Sequence, residues 1–292
     1  MSTEVTITAA DIKALRDRTG AGMMDCKKAL QEADGDQEKA VELLRVKLGN
    51  KVGKLAGREA AEGTVQAFLS ADGRRAAIVE VDCNTDFVAR NDDFVAFAKV
   101  LAEELAADGA AGPVDVDALL GQNGPDGRTY EARRADLSAG TGENVVIRRA
   151  ERLELDGPGA IASYIHATGK VGVAVVVRGG GTADAQAAFA REVALHVAAL
   201  PTEYISPEDV PQDARDAELR VYAQQAEAEG KPEQIREKIA QGKLQKWLKE
   251  IALLPQEHIN PDKHDGKTID QLRKDVADDA VIARVVRFQV GA

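Results

Sequence analysis

Aromatic side chains make up only 4% of the 292 residues: one tryptophan, four tyrosines and six phenylalanines. Stacking platforms for bases are therefore scarce. A core has to be built from alanine, valine, leucine and isoleucine, which the 44% hydrophobic content allows. A basic excess is missing too, since 38 Lys and Arg stand against 49 Asp and Glu, a net charge of −11. A general nucleic-acid binder needs cations to displace counterions from phosphates, and this composition argues against one. No stretch approaches the roughly 18 apolar residues of a membrane span. The opening Met1-Ser-Thr-Glu-Val has neither the basic nor the apolar region of a signal peptide. Two cysteines, Cys26 and Cys83, cannot make a disulfide framework or a four-thiolate zinc site. The expectation is a soluble, cytoplasmic protein that touches neither membrane nor nucleic acid directly.

Signatures of chemistry are equally thin. There is no Gly-x-x-x-x-Gly-Lys-Ser/Thr phosphate loop, and Gly179-Gly180-Gly181 is a turn signal. The four histidines, His166, His196, His258 and His264, show no His-x-x-x-His spacing, so no metal site and no cofactor is expected. A nucleophilic Cys83 needs a base and an oxyanion site that the sequence does not locate, and buried structural thiols are expected at both cysteines. No catalytic residue is named.

What is present is organised in blocks. Residues 1–55 hold 10 basic and 9 acidic side chains, so the acidity belongs to the longer remainder. Thr8 and Asp11 have the form of a helix start, with Gly20 and Gly22 as the stop. A second helix is expected over 23–33, and Asp36 can cap a third carrying Ala40, Val41, Leu44 and Leu48. Arg45, Lys47, Lys51, Lys54 and Arg58 follow without an intervening acid. They are either a solvated helix end or a contact for an acidic partner surface. Gly49, Gly53 and Gly57 read as a hinge or linker.

An internal repeat comes next. Gly63 to Gly73, followed by Ala76 to Val81, corresponds at an offset of 96 to Gly159 to Gly169, followed by Gly172 to Val177. Both copies alternate as β-hairpins with Asp72-Gly73 and Thr168-Gly169 at the turns. Each is followed by a helix, over 94–107 and 183–200, but Phe97-Ala-Lys matches Phe189-Ala-Arg at an offset of only 92. The first copy thus carries four extra residues within Cys83-Asn-Thr-Asp-Phe-Val-Ala-Arg-Asn91. A short helix is expected at 116–120 and a strand over 144–155 leading into the second copy. Beyond Pro207, two charged helices over 213–229 and 234–251 form a helical hairpin, and Val281 to Val290 is a strand that rejoins the second sheet. Ala214, Ala217, Val221, Ile235, Ile239 and Trp247 give that hairpin a weak seam interrupted by charge.

Arg18-Thr-Gly-Ala-Gly-Met-Met-Asp-Cys-Lys-Lys-Ala-Leu30 and Cys83-Asn-Thr-Asp-Phe-Val-Ala-Arg90 resemble the two signature segments of the bacterial elongation factor Ts family. The resemblance continues through Gly142 to Arg149, Tyr164-Ile-His166, His196 to Ala199, Ser206 to Val210 and Val286 to Val290. It implies an α+β fold: a three-helix, UBA-like N-terminal domain with its linker (1–55), one core subdomain (56–143), a related second one (144–206 with 255–292), and an inserted coiled-coil hairpin (207–254). It also implies guanine-nucleotide exchange on elongation factor Tu. Thr85, Asp86, Phe87 and Val88 would be the loop that disturbs the partner's magnesium site, with Phe87 as an apolar wedge. Met23 and Met24 would dock on the GTPase domain, and His166 would face the partner from the second core surface. The hairpin would serve a homodimer or a second partner contact. A C-terminal helical module of some members is expected to be absent after Ala292. Two adjacent methionines cannot share one helix face, so the alternative of bundle core leaves at least one exposed. The residues by themselves leave two other readings open: an acidic adaptor whose bundle recruits an unrelated partner, and a cysteine-dependent enzyme using Cys83.

Overall fold

The computed structural model describes residues 7–19 and 21–292; the first six residues, Gly20, and the side chains of Asp17, Arg45, Leu48, Asn50, Lys51 and Val52 lie outside the description. The opening pentapeptide, the Gly20 stop and the Leu48 stripe position therefore fall outside it as well. The chain begins with three helices, α1 (Ala9–Thr19), α2 (Met23–Glu32) and α3 (Gln37–Leu55). Thr8 and Asp11 cap α1 reciprocally, and Asp36 accepts the backbone N–H groups of Glu38 and Lys39 at the head of α3. Leu15, Cys26, Leu30 and Leu44 form the small core of this bundle. The expected glycine linker is a correction: α3 runs on through Gly49 and Gly53 to Leu55. A Cβ at either glycine would meet nothing, so the helix keeps its hydrogen bonds and forgoes only about 1 kcal/mol of propensity at each.

Two β-hairpins follow the repeat. In the first, β1 (Glu62–Leu69) pairs antiparallel with β2 (Arg75–Cys83); after it come α4 (Asp86–Ala89), α5 (Asp92–Ala107), β3 (Gly112–Pro113), α6 (Val116–Leu120), α7 (Tyr130–Thr141) and β4 (Val146–Glu154). In the second, β5 (Gly159–Ile165) pairs with β6 (Val171–Arg178), followed by α8 (Ala183–Ala199). Then come a single 3-10 turn (Pro207–Asp209), α9 (Gln212–Ala228), α10 (Glu233–Ile251), α11 (Pro261–His264), α12 (Ile269–Val276) and β7 (Val281–Gln289). The sheets have orders β1-β2-β4-β3 and β5-β6-β7. This is an α+β fold.

The repeat reaches further than its sequence match. Each middle strand is shifted in register at equivalent positions, between Glu80 and Val81 in β2 and between Val176 and Val177 in β6. Gly63 and Gly159 are equivalent too: a Cβ there would lie 2.4 Å from the Val81 carbonyl oxygen and 2.2 Å from that of Val177. β4 corrects the sequence reading, which places it at the head of the second unit. It hydrogen-bonds to β2 in the first sheet, the position β7 holds beside β6. Ile147 and Ala150 of β4 join the core under α5, and cross-strand charge pairs add to it. Arg149 Nε lies 2.7 Å from Glu80, and Arg148 Nε lies 2.7 Å from Asp82. Burial pushes both carboxyl groups upward and the two arginines pull against it.

Alternation along the strands sends the two faces of each sheet to different cores. Ala77, Val79, Val81 and Cys83 of β2 meet Phe94, Leu101 and Leu105 of α5. On the opposite face, Val65, Ala76 and Ile78 meet Ile161, Ala174, Val176 and Val286 of the second sheet. The other face of that sheet packs Val173, Val175 and Val177 against Phe189 and Val193 of α8. The layers are thus helix, sheet, sheet, helix, and Ala139 of α7 carries the bundle. α7 and α12 go beyond the expected elements. Their signals are local: Thr129 and a left-handed Gly142 bound α7, and a Thr268–Gln271 capping box opens α12.

α9 and α10 pack antiparallel, and their seam runs through Leu219, Tyr222, Leu244 and Leu248. Val221 and Ile235 of the anticipated seam are exposed instead. The hairpin leaves and rejoins the core at one point, where Tyr204 bridges Ala252 and the Leu253 N–H donates to the Tyr204 carbonyl at 3.0 Å.

Candidate partner-binding surface

The extra residues of the first repeat form a loop built on one helical turn. Thr85 ends in extended backbone and caps α4, accepting the Val88 N–H at 3.5 Å. Glu143, just beyond α7, holds the base of the loop with both carboxylate oxygens. Oε2 accepts the backbone N–H groups of Asn84 and Thr85 at 2.9 and 3.0 Å, and Oε1 accepts the Thr85 hydroxyl at 2.6 Å. Asn84 adds a second brace, donating to the Glu59 carbonyl and accepting the Asn144 N–H. Below it the Cys83 thiol is buried and donates to the Thr85 carbonyl. Burial first, then the negative charge of Glu143, pushes Cys83 up to about 12. A thiol so far from ionisation is a poor nucleophile at neutral pH.

On this braced turn the side chains divide. Val88 packs on the α5 core, Ala89 is buried, and Phe87 leaves 84% of its surface exposed. Phe87 therefore does not tuck back into its own core. Asp86 lies one helical turn from Arg90 and pairs with it at 3.0 Å. Beside the loop an open cleft of about 680 Å³ separates core from bundle, lined by Arg16, Arg18, Val88, Asn91 and Phe97 among others.

The remaining expected residues lie elsewhere. Met23 and Met24 occupy the first turn of α2 and are 47% and 64% exposed, because Cys26, Ala29 and Leu30 supply that helix's buried face. His166 is exposed at the β5–β6 turn, with Nδ1 3.1 Å from the Thr168 hydroxyl and its ring in a T-shaped contact with Tyr164 at 6.5 Å. Of the basic run, Lys47 is paired with Glu32, Lys54 and Arg58 are exposed, and the Arg45 and Lys51 side chains lie outside the description. Glu143 is the residue that reading by motif passes over. Its signal is a lone acid directly behind a helix-ending Gly142, and its partners are 58 and 59 positions away. Fold geometry also brings His258, His264 and Glu192 together, which spacing rules for short motifs do not detect.

The structure thus defines an α+β protein built on an internal duplication, with a braced, outward-facing loop in one copy only. Residues 84–292 match the model of the family described as Elongation factor TS. Elongation factor Ts of Thiobacillus denitrificans is 47% identical over 268 residues, covering 92% of this chain and 87% of that protein. Those of Azoarcus sp. and Clostridium perfringens are 46% and 41% identical, each over 98% of this chain and 91% and 93% of their own. The chain belongs to the elongation factor Ts family, and is a translation elongation factor. Among the described residues no helix is long and apolar enough to cross a membrane.

Proposed function

We propose that this protein is a guanine-nucleotide exchange factor that binds elongation factor Tu·GDP and promotes GDP release by disturbing its magnesium and phosphate site. The partner and the reaction come from the family; the observation that carries the working residue is Phe87, 84% exposed on a backbone braced by Glu143. A braced backbone beneath a large apolar side chain has part of the ordering entropy already spent before docking. Burying it against a partner is worth about 1.5–3 kcal/mol, or roughly 10- to 150-fold in an equilibrium.

The action is binding linkage rather than covalent chemistry. Factor and nucleotide weaken each other equally in a ternary complex, and each tenfold loss of nucleotide affinity needs about 1.4 kcal/mol of coupling. Phe87 is assigned the wedge that shifts an element near the bound cation. Asp86 is assigned the carboxylate that competes for the polar network around it, after releasing Arg90. Thr85 caps the turn and Val88 anchors it to the core. Met23 and Met24 supply an adaptable contact from the bundle to the GTPase domain. His166 is assigned a contact from the second sheet unit. The chain divides into a UBA-like bundle, two related core subdomains and the inserted hairpin, whose exposed Val221 and Ile235 offer a second contact, to another copy or to the partner.

Release of fluorescent GDP from cognate elongation factor Tu, with parent and Phe87→Ala protein in magnesium, tests the reading. Equal acceleration by both proteins removes the loop from the mechanism. No acceleration by the folded parent removes the exchange reading itself.

A further inference from the structure

Where the chain returns from the helical hairpin it passes as a strap over α8. The strap is closed on itself: Glu257 bridges Thr268, and the His258 N–H donates to the Lys267 carbonyl at 3.0 Å. It is fastened from below by His196, which is fully buried, accepts the Ile259 N–H at Nδ1 and lies 2.8 Å from Gln256 Oε1 at Nε2. Two strap histidines then converge on one carboxylate of α8. His264 Nε2 is 2.8 Å from Glu192 Oε2, and His258 Nε2 is 3.5 Å from the same oxygen. All three donor atoms lie within 4.8 Å of one another. A tetrahedral cation with bonds of about 2.0–2.1 Å spaces its ligand atoms about 3.3 Å apart, so small side-chain shifts enclose one here. The rings meet edge to face at 4.2 Å, and His258 is only 3% exposed.

We propose that Glu192, His258 and His264 form a binding site for a divalent cation of the zinc class, with water completing the coordination. Two imidazoles and a carboxylate are a borderline-soft set suited to zinc rather than to calcium or magnesium. Binding has three costs that the structure specifies. His264 Nε2 donates its proton to Glu192 Oε2 at 2.8 Å, and the cation displaces that proton and the hydrogen bond with it. The His258 Nδ1 accepts the Asn260 N–H at 3.2 Å, so the ring proton sits on Nε2, 3.3 Å from the Glu192 carbonyl. A cation on Nε2 displaces that proton, the neutral ring then carries its proton on Nδ1, and the Asn260 N–H loses its acceptor. The Lys263 ammonium, 2.6 Å from Glu192 Oε1, opposes the incoming charge, but its side chain is half exposed and contacts Oε1 rather than the Oε2 that the histidines face. The consequence is a clamp: a cation shared by α8 and the strap ties the return path of the hairpin to the second sheet unit.

The test uses full-length protein stripped with a chelator, titrated with zinc against a chromogenic competitor. One zinc per chain is expected, with affinity at least tenfold weaker in His264→Gln and tighter in Lys263→Gln, which removes the opposing charge. In 15N spectra, saturation with zinc should move the Asn260 amide resonance. His264 is at the rim of the cluster and Lys263 at the surface, so circular dichroism of the metal-free variants verifies the fold independently. Absence of stoichiometric zinc binding by the parent overturns the proposal. So does parent-like affinity in His264→Gln, or an Asn260 resonance unmoved at saturation.

Discussion

Eight residues join β2 to α5, while four join β6 to α8, at the same place in the two copies of the repeat. The short connector is pressed down. Gly179 and Gly181 have φ of +111° and +100°, a Cβ on Gly179 would lie 2.3 Å from the Asp279 carbonyl oxygen, and Gln186 donates to the carbonyls of both Gly179 and Gly180. The long connector is propped up by Glu143 and Asn84, and presents Phe87 to solvent. One scaffold therefore carries two solutions: a connector bound by packing and one released for contact. Of the residues in the long connector, Val88 and Ala89 still pack on the core, whereas Phe87 is left without that duty, and recognition is where a large side chain on such a loop finds use.

The comparison is broken most severely by Phe87→Ala. Stimulated GDP release should fall about 10- to 100-fold, set by the loss of a buried phenylalanine at the docked interface. The melting temperature should stay near that of the parent, since the ring touches little of its own chain. The opposite pattern is expected from Gly179→Ala. A Cβ driven into backbone at positive φ should destabilise by about 2–3 kcal/mol, seen as a melting temperature lower by several degrees. Release rates per folded molecule should be retained. If Gly179→Ala slows release while leaving stability intact, the two connectors are not divided as described.

Asp86→Ala sharpens the division within the long connector. Its pair with Arg90 is exposed and contributes about 0–1 kcal/mol to the fold, so stability should hardly change. Release should fall several-fold with magnesium present and much less after chelation; a deficit independent of magnesium would assign Asp86 to docking alone. The smallest effect is expected at the thiols. Cys83 is held up to about 12 and Cys26 is raised by burial, so neither should react with a thiol reagent at pH 8 until the protein unfolds. Rapid native labelling of Cys83 would show the base of the loop open rather than braced.

What the sequence makes legible follows from the range of the forces involved. The hairpins, their turns and the extra residues come from period-2 alternation and a 96-residue offset, both local patterns. Phe87 could be singled out, but its exposure depends on Glu143, a residue whose contact to the loop spans 58 positions. The placement of β4 is not legible because chain order puts it beside β5, whereas Ile147 and Ala150 in the α5 core and charge pairs to Glu80 and Asp82 tie it to β2. The continuity of α3 through Gly49 and Gly53 is hidden for the opposite reason: glycine marks a boundary on average, and here nothing crowds the helix into ending. The convergence of Glu192 with His258 and His264, 66 and 72 positions apart, has no local signature at all.

The bridge between Tyr204 and Ala252 has a consequence for chain topology. The core sees the intervening segment only as a closed loop with its mouth pinned, and the entropy of closing a loop grows with the logarithm of its length. Doubling that segment adds only about 0.6 kcal/mol. The two arms α9 and α10 can therefore lengthen, shorten or be exchanged for a foreign folded unit with little penalty to the sheets. This gate is the place in the molecule where a reporter domain can be spliced in and the two β-sheet units still assemble on their own terms.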